Sequence, residues 1–439
     1  MDVDSSAFGE PAVATDHIDP VKILSVGLAI RWFGNSFFAP FILIYLHVDL
    51  GLSFAVAGLY LVIPGAATLG APLLGGGLTD RFGRKIFIVS SLGAEAVGLS
   101  VFAAGIHLGS IVAVFSGLSL ASAASGVGFP SVSAYLADVT IPARRALGFA
   151  WQRSAFNAGV AGGTAVGGLL LTYVSFFEIA LLAVGVTIVG VLFSVVLLPQ
   201  SPRDLRAVGS RLDQEPGPDL KGNSPVPSAS MFATAVKAPL LAVRRDRALL
   251  LCCLATGFLF VMIIQYDYAI PTFARTSLGL PFAFIGVAIA LNGALPAFTQ
   301  IPLTRGLMGR SITRVGLWGV VSYAAAYLAM GVEGDARTLP VVALFVVVIV
   351  MTLGENLVAI PIFTLPMKIA PEDTRGAYSG ASTTAVNLGV LGAPVLAGFA
   401  LSLSIQPFLV WLLMAIPCVP AAWLLWRLSR VIPSGADTV

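Results

Sequence analysis

A chain of 439 residues that is 57% hydrophobic and only 11% charged, with a mean hydropathy of +0.93, is no ordinary soluble domain, where about 25% of residues are charged. The same apolar excess excludes a disordered or collagen-like chain, and a net charge of +3 is too small to argue for a nucleic-acid partner. A polytopic membrane protein remains, because membrane helices tolerate the 46 Gly and 27 Pro spread through its apolar runs.

Residues 1–20 carry Asp2, Asp4, Glu10, Asp16 and Asp19 without a base, the reverse of a signal peptide's basic start, and read as a cytoplasmic tail. About 20 apolar residues cross a bilayer as a helix. Cutting the rest of the chain at charges and turn residues predicts twelve spans, at 21–46, 54–77, 86–106, 110–136, 147–173, 177–198, 248–273, 282–304, 312–332, 340–366, 377–402 and 407–428. The expected fold is therefore an all-α membrane protein of twelve transmembrane helices. With both termini cytoplasmic, 21 of the 25 bases fall on the cytoplasmic side and only Arg275 and Arg337 on the other. Bases resist translocation, so that bias sets the orientation.

Residues 199–247 hold seven prolines and thirteen charges and separate six spans from six. They read as a cytoplasmic linker between an N-terminal six-helix bundle at 21–198 and a C-terminal one at 248–429, with a short tail at 430–439. The two halves are internally similar. Leu50-Gly51-Leu52-Ser53-Phe54-Ala55 with Gly58 matches Leu278-Gly279-Leu280-Pro281-Phe282-Ala283 with Gly286, at an offset of 228. Asn157, Gly159, Gly162 and Gly168 match Asn387, Gly389, Gly392 and Gly398 at 230, and Gly83-Arg84 matches Gly309-Arg310 at 226. Related six-helix halves place a cavity at their interface, where one half can rock against the other.

The loop after the second span reads Gly76-Gly77-Leu78-Thr79-Asp80-Arg81-Phe82-Gly83-Arg84-Lys85. Its glycines permit a tight turn, and its bases hold it in the cytoplasm. The plain alternative is a turn that only sets topology. The pattern resembles motif A of the major facilitator superfamily, and the twelve spans, related halves and central linker fit that family across 21–428. The resemblance implies a cytoplasmic latch of Gly76, Asp80, Arg81, Gly83 and Arg84, with Asp80 meeting the eleventh helix and Arg84 pairing with Asp138 at the end of the fourth. The second copy, Leu303 to Arg310, has no acid at the matching place. Gly159, Gly163, Gly167 and Gly168 in the fifth span resemble motif C of the family's proton-coupled exporters, with Thr164 where a proline is usual. The eleventh span keeps it, as Gly389 and Pro394. Simple close packing of helices explains these small residues equally well. The fourth span lacks the arginine of the exporters' motif B.

Arg31, Glu95, Arg153, Asp267 and Glu355 fall within spans. Each costs about 2.5–3.5 kcal/mol at a helix centre, so each should face a cavity or a partner. In the family fold, helices 1, 4, 7 and 10 line the cavity, which implies cavity positions for Arg31, Asn35, Arg153, Gln265, Tyr266 and Asn356. The aromatics Trp32, Phe37, Phe38 and Tyr268 could complete its wall. Helix 3 is peripheral in that fold, so Glu95 is expected to stand apart. Carboxyls in low dielectric take up protons more readily, and Asp267 and Glu355 are the expected proton-coupling pair. The alternative is a structural ion pair, for instance Arg31 with Glu355. Arg31 and Arg153 could neutralise acids or bind an anion.

The histidines His17, His47 and His107 are scattered, Cys252, Cys253 and Cys418 lie in apolar runs, and no Walker-type loop occurs. No metal, cofactor or enzyme activity is expected. The sequence reads as a monomeric, proton-coupled exporter of small lipophilic or cationic compounds, working by alternating access in the bilayer of the plasma (inner) membrane. A symporter of an organic anion or sugar is the runner-up, and a carrier-fold sensor the reading outside transport.

Overall fold

The chain is described by a computed structural model, covering residues 19–69, 71, 79, 83–141, 144–201, 241–433 and 435–439. Apart from one isolated bridge between Ser311 and Thr438, helix is the only regular structure among these residues. That follows from the composition, because a backbone in lipid must satisfy its polar groups within its own segment.

The first expected span is built as α1 (Pro20–Asn35) and α2 (Ile42–Val48), broken around the short 3-10 turn Ala39–Phe41. Pro40 lies in this turn and has no N–H to continue a helix. Asp19 caps α1, accepting from the Val21 N–H at 2.9 Å, with Pro20 at the first helical position. Then follow α3 (Phe54–Tyr60), α4 (Arg84–His107), α5 (Ile111–Val139), α6 (Arg145–Leu170) and α7 (Phe176–Leu197). The seventh expected span is divided like the first, into α8 (Arg247–Ile263) and α9 (Gln265–Thr276). The remainder is α10 (Phe282–Gly306), α11 (Ile312–Ala336), α12 (Pro340–Ile369), α13 (Arg375–Ser402), α14 (Pro407–Met414) and α15 (Cys418–Leu428).

Counting α1–α2, α8–α9 and α14–α15 as single spans, ten helices among the described residues are long and apolar enough to cross a membrane. The two expected spans outside that count are the second and the fifth. The second is described as an apolar helix only over Phe54–Leu69, shorter than a bilayer requires. The fifth is α6, whose 26 residues include Arg145, Gln152 and Arg153 along with many glycines, so its mean apolarity is low. Most of the expected linker, 202–240, lies outside the described residues.

The matched glycines of the two halves meet one another. A Cβ on Gly168 of α6 would come within 2.7 Å of the Gly286 Cα on α10, and one on Gly398 of α13 within 3.0 Å of the Gly58 Cα on α3. Those two crossings, α6 on α10 and α3 on α13, are the same contact made twice with repeat-related residues. Only a residue without a side chain allows backbones this close. A second glycine row on α6, Gly159, Gly163 and Gly167, lies against α1. There a Cβ would reach Ala29 O at 2.6 Å, Ser36 Cβ at 2.9 Å and Phe37 Cα at 2.6 Å. Residues of α1, α4, α5, α9 and α13 line one cavity.

Candidate functional site

Arg31 and Asn35 are one helical turn apart on α1 and so share a face. Both turn to Glu95 on α4. The Arg31 Nη2 and Glu95 Oε2 atoms lie 2.7 Å apart as an ion pair, and Asn35 Nδ2 donates to Glu95 Oε1 at 2.6 Å. The ionic contact does not have hydrogen-bond geometry, and Arg31 Nε has no hydrogen-bond partner among the described residues. Arg31 and Glu95 are 3% and 1% exposed, so their charges compensate each other without water.

This corrects two expectations. Arg31 pairs with Glu95, not with Glu355. Glu95 does not stand apart: it lines a cavity of about 310 Å³, together with Trp32, Asn35 and Phe38 of the first span and Tyr268 of α9. Glu95 is the only charged residue among the described residues that line that cavity. The helix-3 assignment misled because it placed a whole helix at the periphery. A charge in mid-span was the better signal.

Asp267 stands in the first turn of α9, just past the break at Ile264, between Tyr266 and Tyr268. Its carboxylate makes no hydrogen bond or ion pair among the described residues. Glu355, half-buried on α12, accepts from Asn292 Nδ2 on α10 at 3.1 Å, and the same amide donates to Thr352 Oγ1 at 2.9 Å. Asp267 and Glu355 act on each other electrostatically, and Arg153 of α6 acts on Glu355. Asp267, Glu355 and Arg153 therefore form one electrostatic group, and Arg31 with Glu95 forms another.

Two expected cavity residues are used for helix contacts instead. Gln265 is fully buried and donates to Ala393 O at 3.2 Å and Val261 O at 3.1 Å, tying the α8–α9 break to α13. Asn356 donates to Thr299 Oγ1 at 2.6 Å, between α12 and α10. Tyr266 packs against the apolar core, where Phe37 is buried. The polar rungs Asn292, Thr299 and Thr352 had escaped sequence reasoning. Their only sequence signal is an uncharged polar residue inside an apolar span, which is too common to single out.

At the expected latch, Arg84 Nε meets Asp138 Oδ2 at 3.2 Å. Gly83 begins α4 at φ +96°, a conformation that disfavours any side chain, and the Thr79 and Ser131 hydroxyls are bonded to each other. Gly76, Asp80 and Arg81 lie outside the described residues. Gly389 packs on α8, where a Cβ would lie 2.6 Å from Phe260 Cβ, and Pro394 faces Gly58.

Comparison with known proteins places this geometry. Residues 24–394 match the family model described as Major Facilitator Superfamily. The chain is 26% identical over 394 residues to a Na(+), Li(+), K(+)/H(+) antiporter of Planococcus maritimus, covering 85% of this chain and 88% of that protein. It is 25% identical over 396 residues to the multidrug resistance protein MdtH of Aeromonas hydrophila, covering 88% and 90%. Among solved structures, a POT family transporter in complex with 5-aminolevulinic acid superposes with a TM-score of 0.71 at 14% identity, over 94% of this chain and 96% of that one. At that identity the likeness speaks for the fold alone.

Proposed function

The chain belongs to the major facilitator superfamily, as a multi-pass transporter of the plasma membrane, and on that premise we propose that it exchanges protons for small lipophilic or cationic compounds. It works by alternating access as a monomer of two six-helix halves joined by the 199–247 linker, with both termini cytoplasmic. Asp267 and Glu355 carry the protons.

One observation carries this reading. Three carboxylates stand away from the ends of the expected spans: Glu95 has an ion partner at contact distance, whereas Asp267 and Glu355 have none among the described residues. A carboxylate held partly out of water without a counter-ion at contact distance is less favourable as an anion than one in bulk water. When substrate and protons compete for the charge of such a pair, proton entry drives substrate exit. The latch reading of Gly76, Asp80, Arg81, Gly83, Arg84 and Asp138 belongs to the same cycle. The Arg84–Asp138 contact would tie the start of α4 to the end of α5 in one state and release it in the other.

Symport of an organic anion is the second reading. Arg153 favours it, being exposed and without an ion-pair partner among the described residues. Purified protein in liposomes under an imposed pH gradient separates the two by the direction of substrate movement. In that assay Asp267→Asn and Glu355→Gln are each expected to abolish gradient-driven transport while folded protein remains in the membrane. Normal transport by both variants overturns the assignment. Counterflow without a gradient separates a carrier from a sensor, which binds but does not exchange.

A further inference from the structure

We propose that the adjoining ends of α11 and α15 bind an anionic phospholipid, its phosphate held by Arg310, Arg427 and Arg430 and its acyl chains lying on the outer faces of the two helices. None of these residues lines the cavity, and the site does not depend on the exporter reading.

The two helices meet where α11 begins and α15 ends: a Cβ on Gly316 would lie 3.1 Å from Leu425 Cδ1. From that meeting point both present the same order of side chains. Along α11, Arg310 and Arg314 give way to Trp318 and then to Val321. Along α15, read backward, Arg430 and Arg427 give way to Trp426 and Trp423 and then to Val419. The three tryptophans and both valines are exposed, while Leu424, Leu425 and Leu428 are buried on the inner side of α15. Charge, then indole, then aliphatic surface over about 15 Å of helix is the order of polarity from a phospholipid headgroup to its acyl chains. In the orientation proposed above this end lies in the cytoplasmic leaflet, where anionic lipids attract basic side chains.

Each guanidinium stands over an indole. Arg310 lies 5.5 Å from the ring centre of Trp318, Arg427 5.6 Å from that of Trp423, and Arg430 4.0 Å from that of Trp426. A ring face holds the cation by its quadrupole and leaves the N–H fork unused, and that fork matches a phosphate bidentately. None of the three arginines makes an ion pair among the described residues. Asp437, the acid that the tail brings to this end, already accepts from Ser311 and Thr313.

The N-terminal half supplies a comparison within the same molecule. Gly83-Arg84 is repeat-related to Gly309-Arg310, and there Arg84 meets Asp138 at 3.2 Å. At the offsets of the repeat, the counterparts of Asp138 fall at residues 364–368, which hold no acid and end in Lys368. The last helix of that half, α7, contains no tryptophan, and Lys85 of α4 donates to its Val195 O at 2.9 Å. A belt of aromatic and basic residues serving the bilayer in general would mark both halves alike. Stacked arginines with unused forks distinguish this one.

Phosphatidylglycerol and phosphatidylcholine with identical acyl chains share the phosphate and differ in net charge. The test titrates each into the delipidated full chain in detergent and counts bound lipid by native mass spectrometry. A basic side chain beside an anionic headgroup strengthens attachment about fivefold, so wild type is expected to prefer phosphatidylglycerol at least fivefold. Arg310→Gln/Arg427→Gln/Arg430→Gln should lower that preference below twofold. Arg244→Gln/Arg245→Gln/Arg247→Gln removes the same charge at the start of α8 and should leave the preference intact. Equal loss in both triple variants would assign the effect to overall charge and overturn the site, as would a preference that survives in the first. A second measurement needs no variant, because three of the six tryptophans belong to the site. In nanodiscs, phosphatidylglycerol brominated along its acyl chains should quench tryptophan fluorescence more than brominated phosphatidylcholine at the same mole fraction. Equal quenching overturns the proposal. Displacement of the lipid by millimolar glycerol 3-phosphate also overturns it, since the site would then serve a soluble anion.

Discussion

Arg31 and Glu95 set two demands on the folded state that can be measured apart. Breaking a buried ion pair from one side leaves an uncompensated charge and costs about 3–5 kcal/mol, whereas replacing both partners by apolar residues of similar volume is often neutral or better. Glu95→Ala is therefore expected to lower the denaturation midpoint of the purified protein sharply, and Arg31→Met/Glu95→Met to restore most of it. Equal losses in both variants would mean that packing, not charge, holds α1 to α4. Asn292 allows a comparable test. Its amide donates to Glu355 at 3.1 Å, and a hydrogen bond to a charged acceptor is worth about 1.5–3 kcal/mol. Asn292→Ala should leave a folded carrier with slower pH-gradient-driven exchange, and an unchanged rate would remove Asn292 from the site. How far such residues were legible depends on the range of their partners. The one-turn spacing of Arg31 and Asn35 can be read from sequence, because helical period is local. Glu95 is 60 residues from Asn35 in the chain, and no local pattern says which acid a buried arginine will meet.

The helices themselves were legible as apolar runs, and their interruptions were not. α1 and α2 occupy the single expected span 21–46, and α8 and α9 the span 248–273, because hydropathy averages over a break that leaves the residues apolar. One contact between elements escaped entirely. The second copy of the loop motif has no acid of its own, and the tail after Arg430 carries no motif. The tail nevertheless brings Asp437 to that loop. Its carboxylate accepts from Ser311 Oγ at 2.6 Å, from the Thr313 N–H at 2.8 Å and from Thr313 Oγ1 at 2.8 Å, at the start of α11. Backbone bonds from Ile312 N to Asp437 O at 3.0 Å and from Val439 N to Arg310 O at 2.9 Å hold the strap in register. A carboxylate on the free N–H groups of a helix start acts as a cap, and losing one costs about 1 kcal/mol. Asp437→Ala is expected to lower the denaturation midpoint by a corresponding few degrees while leaving substrate binding intact. An unchanged midpoint would show the strap to be incidental.

The two glycine crossings connect the repeat to the working cycle of the whole molecule. Gly58 stands near the start of the apolar helix Phe54–Leu69 and Gly286 near the start of α10, and Gly168 and Gly398 near the ends of α6 and α13. In the orientation proposed above, all four lie toward the external face, so α3 on α13 and α6 on α10 act as a pair of seals on that side. Their backbones touch, and a side chain at any of the four cannot be added without moving a helix. Overpacking a close contact costs about 1–3 kcal/mol, which is enough to change a two-state population by roughly five- to more than a hundredfold. If the external side opens during exchange, that cost falls only on the closed state. Gly168→Val and Gly398→Val are therefore expected to favour the open external side. Cysteines placed on the cavity wall at Ser122 or Ser125 should then react faster with a membrane-impermeant thiol reagent added outside, and gradient-driven exchange should slow. The two substitutions should act alike, because the repeat makes their contacts equivalent. Faster labelling from one variant and none from the other would break that equivalence. Slower labelling from both would place the seals on the opposite face and reverse the proposed orientation.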